Sequence, residues 1–237
     1  MKRVPALTLS LLILLAAPAA GQTVNEAPGG GFETPGATRT GYLVADIKSG
    51  DPARVASALR TLPELKDSHA QPVIEAALSG KLGHEDKLLA LEDAARRGKQ
   101  VGQDMFILAL KKGDDALKTA VLEQVSAFER DFALPVLEQA MSDEQVQIRL
   151  EALKAVATMD EQTRHQILTL AAKDTQAGVR LQAATDAANL PKNRAWSILK
   201  DLLSDPSNEV ATHARASAAA VGVDPGKVSP LKPYELR

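Results

Sequence analysis

Apolar residues recur in this sequence at intervals of 31 residues, and this repeat constrains the fold more than any other feature. The repeat is seen when six positions are taken as unit origins, namely Gly50, Lys81, Lys112, Asp143, Asp174 and Asp205. The residues seven before, three before and nine after every origin are apolar. Because 45% of the chain is hydrophobic, six apolar residues at one such position have a chance of about 0.008 of arising by accident. Three positions of this kind indicate a genuine repeat.

The spacing within each unit is that of two helices. The positions seven and three before the origin lie four residues apart, which puts them on one face of a first helix. The positions five, nine and thirteen after the origin do the same for a second helix. Turn-forming Gly, Pro, Asp and Ser lie between the two, and an Asp or Ser there is expected to cap the following helix. The sequence therefore predicts an all-α fold, an α-solenoid built as a right-handed superhelix of about six helix-hairpin repeats.

The chain outside the repeats divides into three further segments. Residues 1–21 carry Lys2 and Arg3, an apolar run and small residues, which is typical of a cleaved signal peptide. Residues 22–40 are rich in Pro and Gly and are predicted to be a flexible linker before a repeat domain at 41–223. Residues 224–237 contain three prolines and are predicted to form an extended tail laid over or beyond the last unit. The mature protein is expected in the periplasm or outside the cell, without stable membrane insertion.

Composition excludes several classes of partner and site. The chain has no Cys, which removes disulfides and thiolate metal sites. Loss of Lys2 and Arg3 with the signal peptide leaves 26 basic and 30 acidic residues, a net charge of −4. A mildly acidic protein is poorly suited to nucleic acid, which is bound through clustered Lys and Arg. Aromatic residues make up only 3% of the chain, so a large aromatic-lined ligand pocket is not expected.

The best-formed units resemble a known repeat family. The stretch from Ala133 to Asp143 and the helix from Val146 to Val156 resemble a HEAT repeat, in particular the short bacterial form called the phycobilisome-lyase-like HEAT repeat. In that form an Asp opens the turn, and a Val-Arg pair followed by small residues builds the second helix. Asp143 precedes Ile148-Arg149 at this spacing, and Asp174 precedes Val179-Arg180. The resemblance extends from Leu134 to Ala220.

The resemblance implies a structural ladder made of Asp143, Arg149, Asp174 and Arg180. In the family, the turn Asp and the helix Arg bond across neighbouring units. A carboxylate is also favoured near the amino end of a helix, and a guanidinium further along can fork toward the carboxylate of the next unit. The alternative is that Arg149 and Arg180 bind a charged ligand, but each already has a plausible partner within the array.

Motifs of catalytic chemistry are missing from the sequence. His84-Glu85 begins like a zinc-protease motif, but Leu88 stands where the second histidine ligand is needed. There is no Gly-x-Ser-x-Gly elbow. The carboxylate pairs Glu92-Asp93 and Asp114-Asp115 are interpreted as solvated charges. No catalytic residue, metal site or cofactor is predicted, and the protein is not expected to be an enzyme.

The outward face of the second helices is the candidate surface for a partner. In HEAT arrays these helices commonly line the inner curve, and here the residues eight and eleven after the origins are polar and rather acidic in the middle of the array. The possible partner-binding face comprises Glu92, Glu123, Glu151, Lys154 and Gln182. A partner with basic or amide-rich segments fits such a surface, and the alternative is an ordinary solvated helix face. Trp196, the single tryptophan, is interpreted as a packing residue rather than a binding anchor.

These observations predict an exported, non-catalytic HEAT-repeat scaffold that mediates protein-protein interaction. One alternative is an enzyme or a chromophore-handling, lyase-like accessory protein on the same repeats, against which export argues because bilin chemistry is cytosolic. Another is an envelope assembly or maintenance factor tethered near the membrane by residues 22–40. The sequence leaves the identity of the protein partner and the oligomeric state open.

Overall fold

A computed structural model describes residues 38–224 of the 237-residue chain. Residues 1–37 and 225–237 lie outside the described range, and with them the predicted signal peptide, most of the predicted linker and almost all of the predicted tail. Residues 38–224 form α-helices and one short 3-10 helix, and no β-strand. The helices are α1 (Arg39–Ser49), α2 (Pro52–Thr61), α3 (Asp67–Ser79), α4 (His84–Arg96), α5 (Lys99–Lys112), α6 (Asp115–Val125), α7 (Arg130–Met141), α8 (Val146–Val156), α9 (Glu161–Ala171), α10 (Ala177–Ala187), α11 (Lys192–Leu202) and α12 (Asn208–Ala220), with the 3-10 helix Leu62–Glu64 after α2.

The helices form two layers. Each odd-numbered helix, here called a first helix, packs against the even-numbered second helix that follows it. First helices also contact the next first helix along the chain, from α1 against α3 to α9 against α11. Second helices do the same, from α2 against α4 to α10 against α12. The described residues are therefore a stack of helix hairpins in which each hairpin contacts its neighbours, and the prediction of an all-α solenoid is confirmed.

The spacing of the helices is regular in the carboxy-terminal half and less so before it. The first helices α7, α9 and α11 begin at Arg130, Glu161 and Lys192, each 31 residues after the one before. In contrast, α1 begins at Arg39 and α3 at Asp67, only 28 residues later. The exact period and number of repeats for the whole chain stay predictions.

The core follows the repeat positions identified in the sequence. Of the eighteen apolar residues at those positions, Leu43 is half-buried against the core and the other seventeen are buried. The seventeen are Ile74, Met105, Val136, Ile167, Ile198, Ile47, Leu78, Ala109, Ala140, Ala171, Leu202, Leu59, Ala90, Val121, Ala152, Ala183 and Ala214. Many are alanine with no exposed surface, and such short side chains allow neighbouring helices to pack closely.

The middle of the array contains a cluster of three phenylalanines and a close approach between two helix backbones. Phe106 of α5 packs edge-on against Phe128 and Phe132, with ring centroids 5.6 and 5.3 Å away. Gly102 lies beside them, and a Cβ atom there would stand 2.7 Å from the carbonyl oxygen of Ala94. Glycine is therefore required at position 102 for α5 to lie this close to α4.

A proline within α7 explains one contact between units. Pro135 has no N–H, so the carbonyl of Asp131, four residues earlier, lacks its usual helical donor. The side-chain amide of Gln103 in α5 donates to this oxygen at 3.0 Å and to the carbonyl of Phe132 at 2.8 Å. The polar group exposed by the proline is thus satisfied by the preceding hairpin.

The turn aspartates differ from the expectation that they cap the second helix directly. Asp114 does so, because its Oδ1 accepts from the amide of Leu117. In the later units the turn Asp lies two residues before the N-cap and accepts from the amide of the N-cap residue itself, as Asp143 does from Gln145 at 2.9 Å. These aspartates therefore fix the shape of the turn rather than the first helical turn.

The predicted linker is shorter than expected at its carboxyl end. It was predicted to run to residue 40, but Arg39 and Thr40 already belong to α1. Thr38 is the N-cap, and its side-chain oxygen accepts from the amide of Gly41 at 3.2 Å. A threonine at this position satisfies one of the amides at the helix start, which places the boundary two residues earlier.

Candidate functional site

A ladder of ion pairs joins successive turns. The guanidinium of Arg149 donates two hydrogen bonds to the carboxylate of Asp174 in the next unit, from Nε to Oδ2 at 2.7 Å and from Nη2 to Oδ1 at 2.9 Å. Its remaining nitrogen donates to the carbonyls of Asp143 and Glu144 at 2.8 and 3.1 Å. Both charged side chains are largely buried, with 8% and 7% of their surface exposed. Arg149 therefore links the turn of its own unit to the turn of the following unit.

The same arrangement recurs one unit later. Arg180 binds Asp205 through Nε to Oδ2 at 2.7 Å and Nη2 to Oδ1 at 2.8 Å. Its third nitrogen donates to the carbonyls of Asp174 and Thr175 at 2.8 and 3.1 Å. Fork-shaped pairs of this kind fix orientation as well as distance. Arg149 and Arg180 thus have their donors engaged inside the array.

Lysines extend the ladder toward the amino end. Lys118 contacts Asp143 at 2.6 Å, and Lys87 contacts Asp114 at 3.3 Å. The sequence resemblance drew attention to Asp-Arg combinations and missed these pairs. The repeat register could have predicted these pairs, because Lys87 and Lys118 lie six residues after their unit origins, as Arg149 does.

The ladder lowers the pKa values of two of its aspartates, Asp174 and Asp205. The bond from Arg180 is the main reason that the pKa of Asp205 is lowered. For Asp174, burial acts in the opposite direction, but the bond from Arg149, the turn amide and the nearby positive charges together outweigh it and lower the pKa. Both carboxylates are therefore held in the charged form.

The stability of the array should depend on acid pH. Because Asp174 and Asp205 have lower pKa values in the folded chain, their contribution is complete above the ordinary value of about 3.9 and is lost as pH falls through the folded values. We expect the thermal midpoint to be nearly constant from about pH 7 to 5 and to fall below about pH 4. Circular dichroism melts across this range measure it. A midpoint that rises or stays level below about pH 4 would contradict the role of the ladder.

The predicted partner-binding residues lie on successive second helices. Glu92 is on α4, Glu123 on α6, Glu151 and Lys154 on α8, and Gln182 on α10. Glu123, Glu151 and Lys154 line one groove of about 240 Å³ between α6 and α8. Glu92 and Gln182 lie outside this groove, on the helices that flank it in the second-helix layer.

The groove between α6 and α8 is lined by both apolar and polar side chains. Besides the three predicted residues, it is lined by Thr119, Leu122, Ser126, Ala155 and Thr158. The sequence interpretation missed these five because it considered only the positions eight and eleven after each origin. A groove between two helices is also lined by the residues on the flank of each helix, whose exposure depends on how the helices pack.

Three of the predicted residues already form hydrogen bonds within their own helices. Glu151 is bound by Lys154 at 2.7 Å and by the amide of Gln147 at 2.7 Å, and the bond from Lys154 is the main cause that lowers its pKa. Gln182 donates to both oxygens of Asp186 at 3.0 Å. Burial nevertheless raises the pKa of Asp186. These groups are available to a partner only if their internal bonds are exchanged.

Glu92 and Glu123 are exposed and free of such bonds. Within residues 38–224, neither carboxylate has a hydrogen bond or an ion pair. Leu89 lies one turn before Glu92 on α4, and its side chain is 52% exposed. The second-helix face therefore presents two unpaired negative charges, an exposed apolar side chain and a groove.

A buried charge cluster near the start of the array corrects one expectation. Asp93 was interpreted as a solvated charge beside Glu92, but it is 3% exposed and paired with Arg97 at 2.5 Å. Arg97 also contacts Asp67 at 2.9 Å and the carbonyl of Leu65 at 2.9 Å. The cluster ties α4 to α3 and to the segment before it, and it is satisfied internally. It was missed because the burial of Asp93 depends on helices that lie about 30 residues apart in sequence.

Residues 38–224 contain neither a cluster of metal-ligating side chains nor a helix that could cross a bilayer. In this part of the chain, no three His, Asp or Glu side chains are grouped as a metal ion requires. None of the helices between residues 38 and 224 has the length and apolar character needed to cross a bilayer.

Comparison with known proteins gives similarity at the level of solved structures only. No protein-family model matches the sequence, and no curated protein matches it. A designed armadillo repeat protein in complex with the peptide (KR)4 is similar with a TM-score of 0.39 and 18% identity, over 78% of this chain and 100% of that one. A second designed armadillo repeat protein has a TM-score of 0.37 and 18% identity, over 76% of this chain and 98% of that one. A computationally designed armadillo repeat protein for modular peptide recognition has a TM-score of 0.38 and 17% identity, over 75% of this chain and 98% of that one.

Proposed function

We propose that this chain is an exported, non-catalytic scaffold of HEAT-type repeats that binds a protein partner on its second-helix face. The observation that carries the proposal is the pair of exposed, unbonded carboxylates of Glu92 and Glu123 on the neighbouring helices α4 and α6. Lys154 is the one cation among the five residues of this face and is paired with Glu151, so the unpaired charges of these five residues are negative.

The geometry of the face favours an extended basic segment. Packed helices lie about 8–10 Å apart, a distance spanned by roughly three residues of extended chain at about 3.3 Å each. A partner with Lys or Arg at about every third residue could therefore meet Glu92 and Glu123 in succession. Leu89 offers an apolar contact beside Glu92, and the groove between α6 and α8 continues the surface past Glu123.

Charge reversal tests this surface. The double variant Glu92→Lys/Glu123→Lys should weaken partner binding by about tenfold or more, equivalent to about 1.4 kcal/mol, because attraction becomes repulsion at two points. Affinity purification from envelope extracts identifies the partner, and titration of that partner measures the change. Binding to the unaltered chain should also weaken as salt is raised.

The matched control reverses two exposed glutamates on first helices. Glu75→Lys/Glu138→Lys changes the net charge by the same amount on α3 and α7 and should leave binding within about twofold, because long-range effects of surface charge are screened. Equal binding by both double variants would contradict the proposed face. A stoichiometric small molecule in the purified protein would contradict the scaffold function itself.

A further inference from the structure

The groove between α6 and α8 contains a cation as well as two carboxylates. Glu123 of α6 lines it together with Glu151 and Lys154 of α8. Among residues 38–224, Glu123 has no hydrogen bond or ion pair, whereas Glu151 accepts a bond from Nζ of Lys154 at 2.7 Å. The groove therefore offers a partner one open carboxylate and one that is neutralised by a lysine of the same helix.

The pair of Lys154 with Glu151 differs from the ion pairs of the ladder. The side chain of Lys154 is 66% exposed, whereas the lysines and arginines of the ladder are largely buried. Lys154 and Gln147 both donate to Oε1 of Glu151, and Oε2 accepts no hydrogen bond from the described residues. Exposed pairs add little to stability, because water solvates the lysine when the pair opens. Lys154 can therefore leave Glu151 without disturbing the packing of the helices.

Lys154 interrupts a row of acidic side chains. Glu92, Glu123 and Lys154 all lie eleven residues after their unit origins, on the successive second helices α4, α6 and α8. A basic segment that contacts Glu92 and then Glu123 meets a like charge on the next helix. The two positive charges repel each other there unless Lys154 moves away. When it does, the carboxylate of Glu151, one turn earlier on α8, is left without its cation.

The lining of the groove suits the side chain of a lysine or an arginine. Leu122 and Ala155 contribute apolar atoms to it, and Glu123 and Glu151 supply carboxylates from the two helices that form it. Lysine and arginine lay their aliphatic stems along apolar surface while the charged head group stays in a polar environment. Charge complementarity favours a cation over a neutral or acidic side chain at this place.

We propose that Lys154 is an internal competitor for this groove. In the free chain it neutralises Glu151, and on binding a lysine or arginine of the partner displaces it and contacts Glu123 and Glu151. The inference rests on the proposed binding of a basic segment to the second-helix face, and it identifies a residue that limits the affinity of that face. Removal of the Lys154 charge therefore strengthens binding, and the gain depends on the carboxylate of Glu151.

The probe is a labelled synthetic peptide with Lys at about every third residue, separated by Ser and Gly. Its binding to the full chain is measured by fluorescence anisotropy at an ionic strength of about 0.15 M, where the Debye length is about 8 Å. Lys154→Met should bind this peptide about two- to fivefold more tightly than the unaltered chain does. Lys200→Met is the matched control, because it removes an equal charge from an exposed position on the first helix α11 and should leave binding unchanged.

A double-mutant cycle shows whether the gain depends on Glu151. Glu151→Gln should weaken binding of the peptide, and Lys154→Met should no longer strengthen it in that background. A gain that persists without the Glu151 carboxylate would be a general effect of net charge and would overturn the proposal. Unchanged or weaker binding by Lys154→Met alone would overturn it as well.

The variant Glu92→Lys/Glu123→Lys, measured with the same peptide, separates this proposal from the binding face on which it rests. If that variant binds as tightly as the unaltered chain, the proposed face is wrong and the competitor role is overturned with it. If it binds more weakly and Lys154→Met gives no gain, the face stands and only the competitor role is overturned. No binding of the peptide by any of these chains would overturn both. Far-ultraviolet circular dichroism verifies that each variant is folded.

Discussion

Ile167→Asp is expected to lower the free energy of unfolding by about 3–5 kcal/mol. Ile167 lies in α9 at the middle of the packed array, with no exposed surface. The substitution removes a large aliphatic side chain and places a carboxylate between hairpins, where it cannot be hydrated. At about 2–4 °C per kcal/mol for a chain of this size, the thermal midpoint should fall by roughly 6–20 °C.

Leu170→Asp on the same helix is the matched control. Leu170 lies three residues away and is 44% exposed, so its carboxylate would remain in water. We expect a change within about 0.5 kcal/mol, as for surface substitutions generally. Thermal melts followed by circular dichroism measure both variants. Equal midpoints for Ile167→Asp and Leu170→Asp would mean that position 167 is not part of a packed interface between hairpins.

Arg149→Met is the second substitution with a large expected effect, a loss of about 3–5 kcal/mol. It leaves the buried carboxylate of Asp174 without its guanidinium and removes the donors to the carbonyls of Asp143 and Glu144. The cost arises chiefly from the uncompensated charge rather than from the lost pair itself. Lys99→Met is the control, because Lys99 and Asp131 form an exposed pair at 3.3 Å that should contribute only about 0–1 kcal/mol.

A double-mutant cycle isolates the coupling of Arg149 with its carboxylate. Asp174→Asn removes the charge but keeps an oxygen that can accept from the amide of Gln176. Arg149→Met/Asp174→Asn should therefore be less destabilised than the sum of the single variants, by about 1–3 kcal/mol. Strictly additive effects on the free energy of unfolding would show that the two side chains act independently.

The sequence predicted the fold because helical packing here is a local and repeated event. Ile167 and Ile198 could be matched as equivalent residues from their spacing alone, and both are buried at corresponding places in successive first helices. The apolar stripe of each helix has to be covered, and a 31-residue spacing offers the next hairpin as the cover. Leu43 is the partial exception, because α1 has no preceding first helix among the described residues.

The candidate site was predicted less completely than the fold. Glu123 and Glu151 were both predicted from their positions eight or eleven residues after a unit origin. In the structure the carboxylate of Glu123 has no bond, whereas that of Glu151 accepts from Lys154. Position on a helix face determines which side chains approach the solvent. The choice of bonding partner depends on rotamers and on neighbours in the same turn, which the repeat pattern does not encode.

The sequence by itself determined that this chain forms stacked helix hairpins and which of their positions are apolar and buried, since hydrophobic periodicity acts within one or two turns of helix. Only the tertiary structure decided the state of the charges. Asp93 is buried and paired with Arg97 rather than solvated. Lys87 forms an ion pair that belongs to the ladder, and Glu92 is exposed without an ion pair. Each of these outcomes depends on how closely helices from different hairpins approach. The free energy of a charged group changes with its burial and with the charges that face it. Here the facing groups come from residues about 25–30 positions away in sequence.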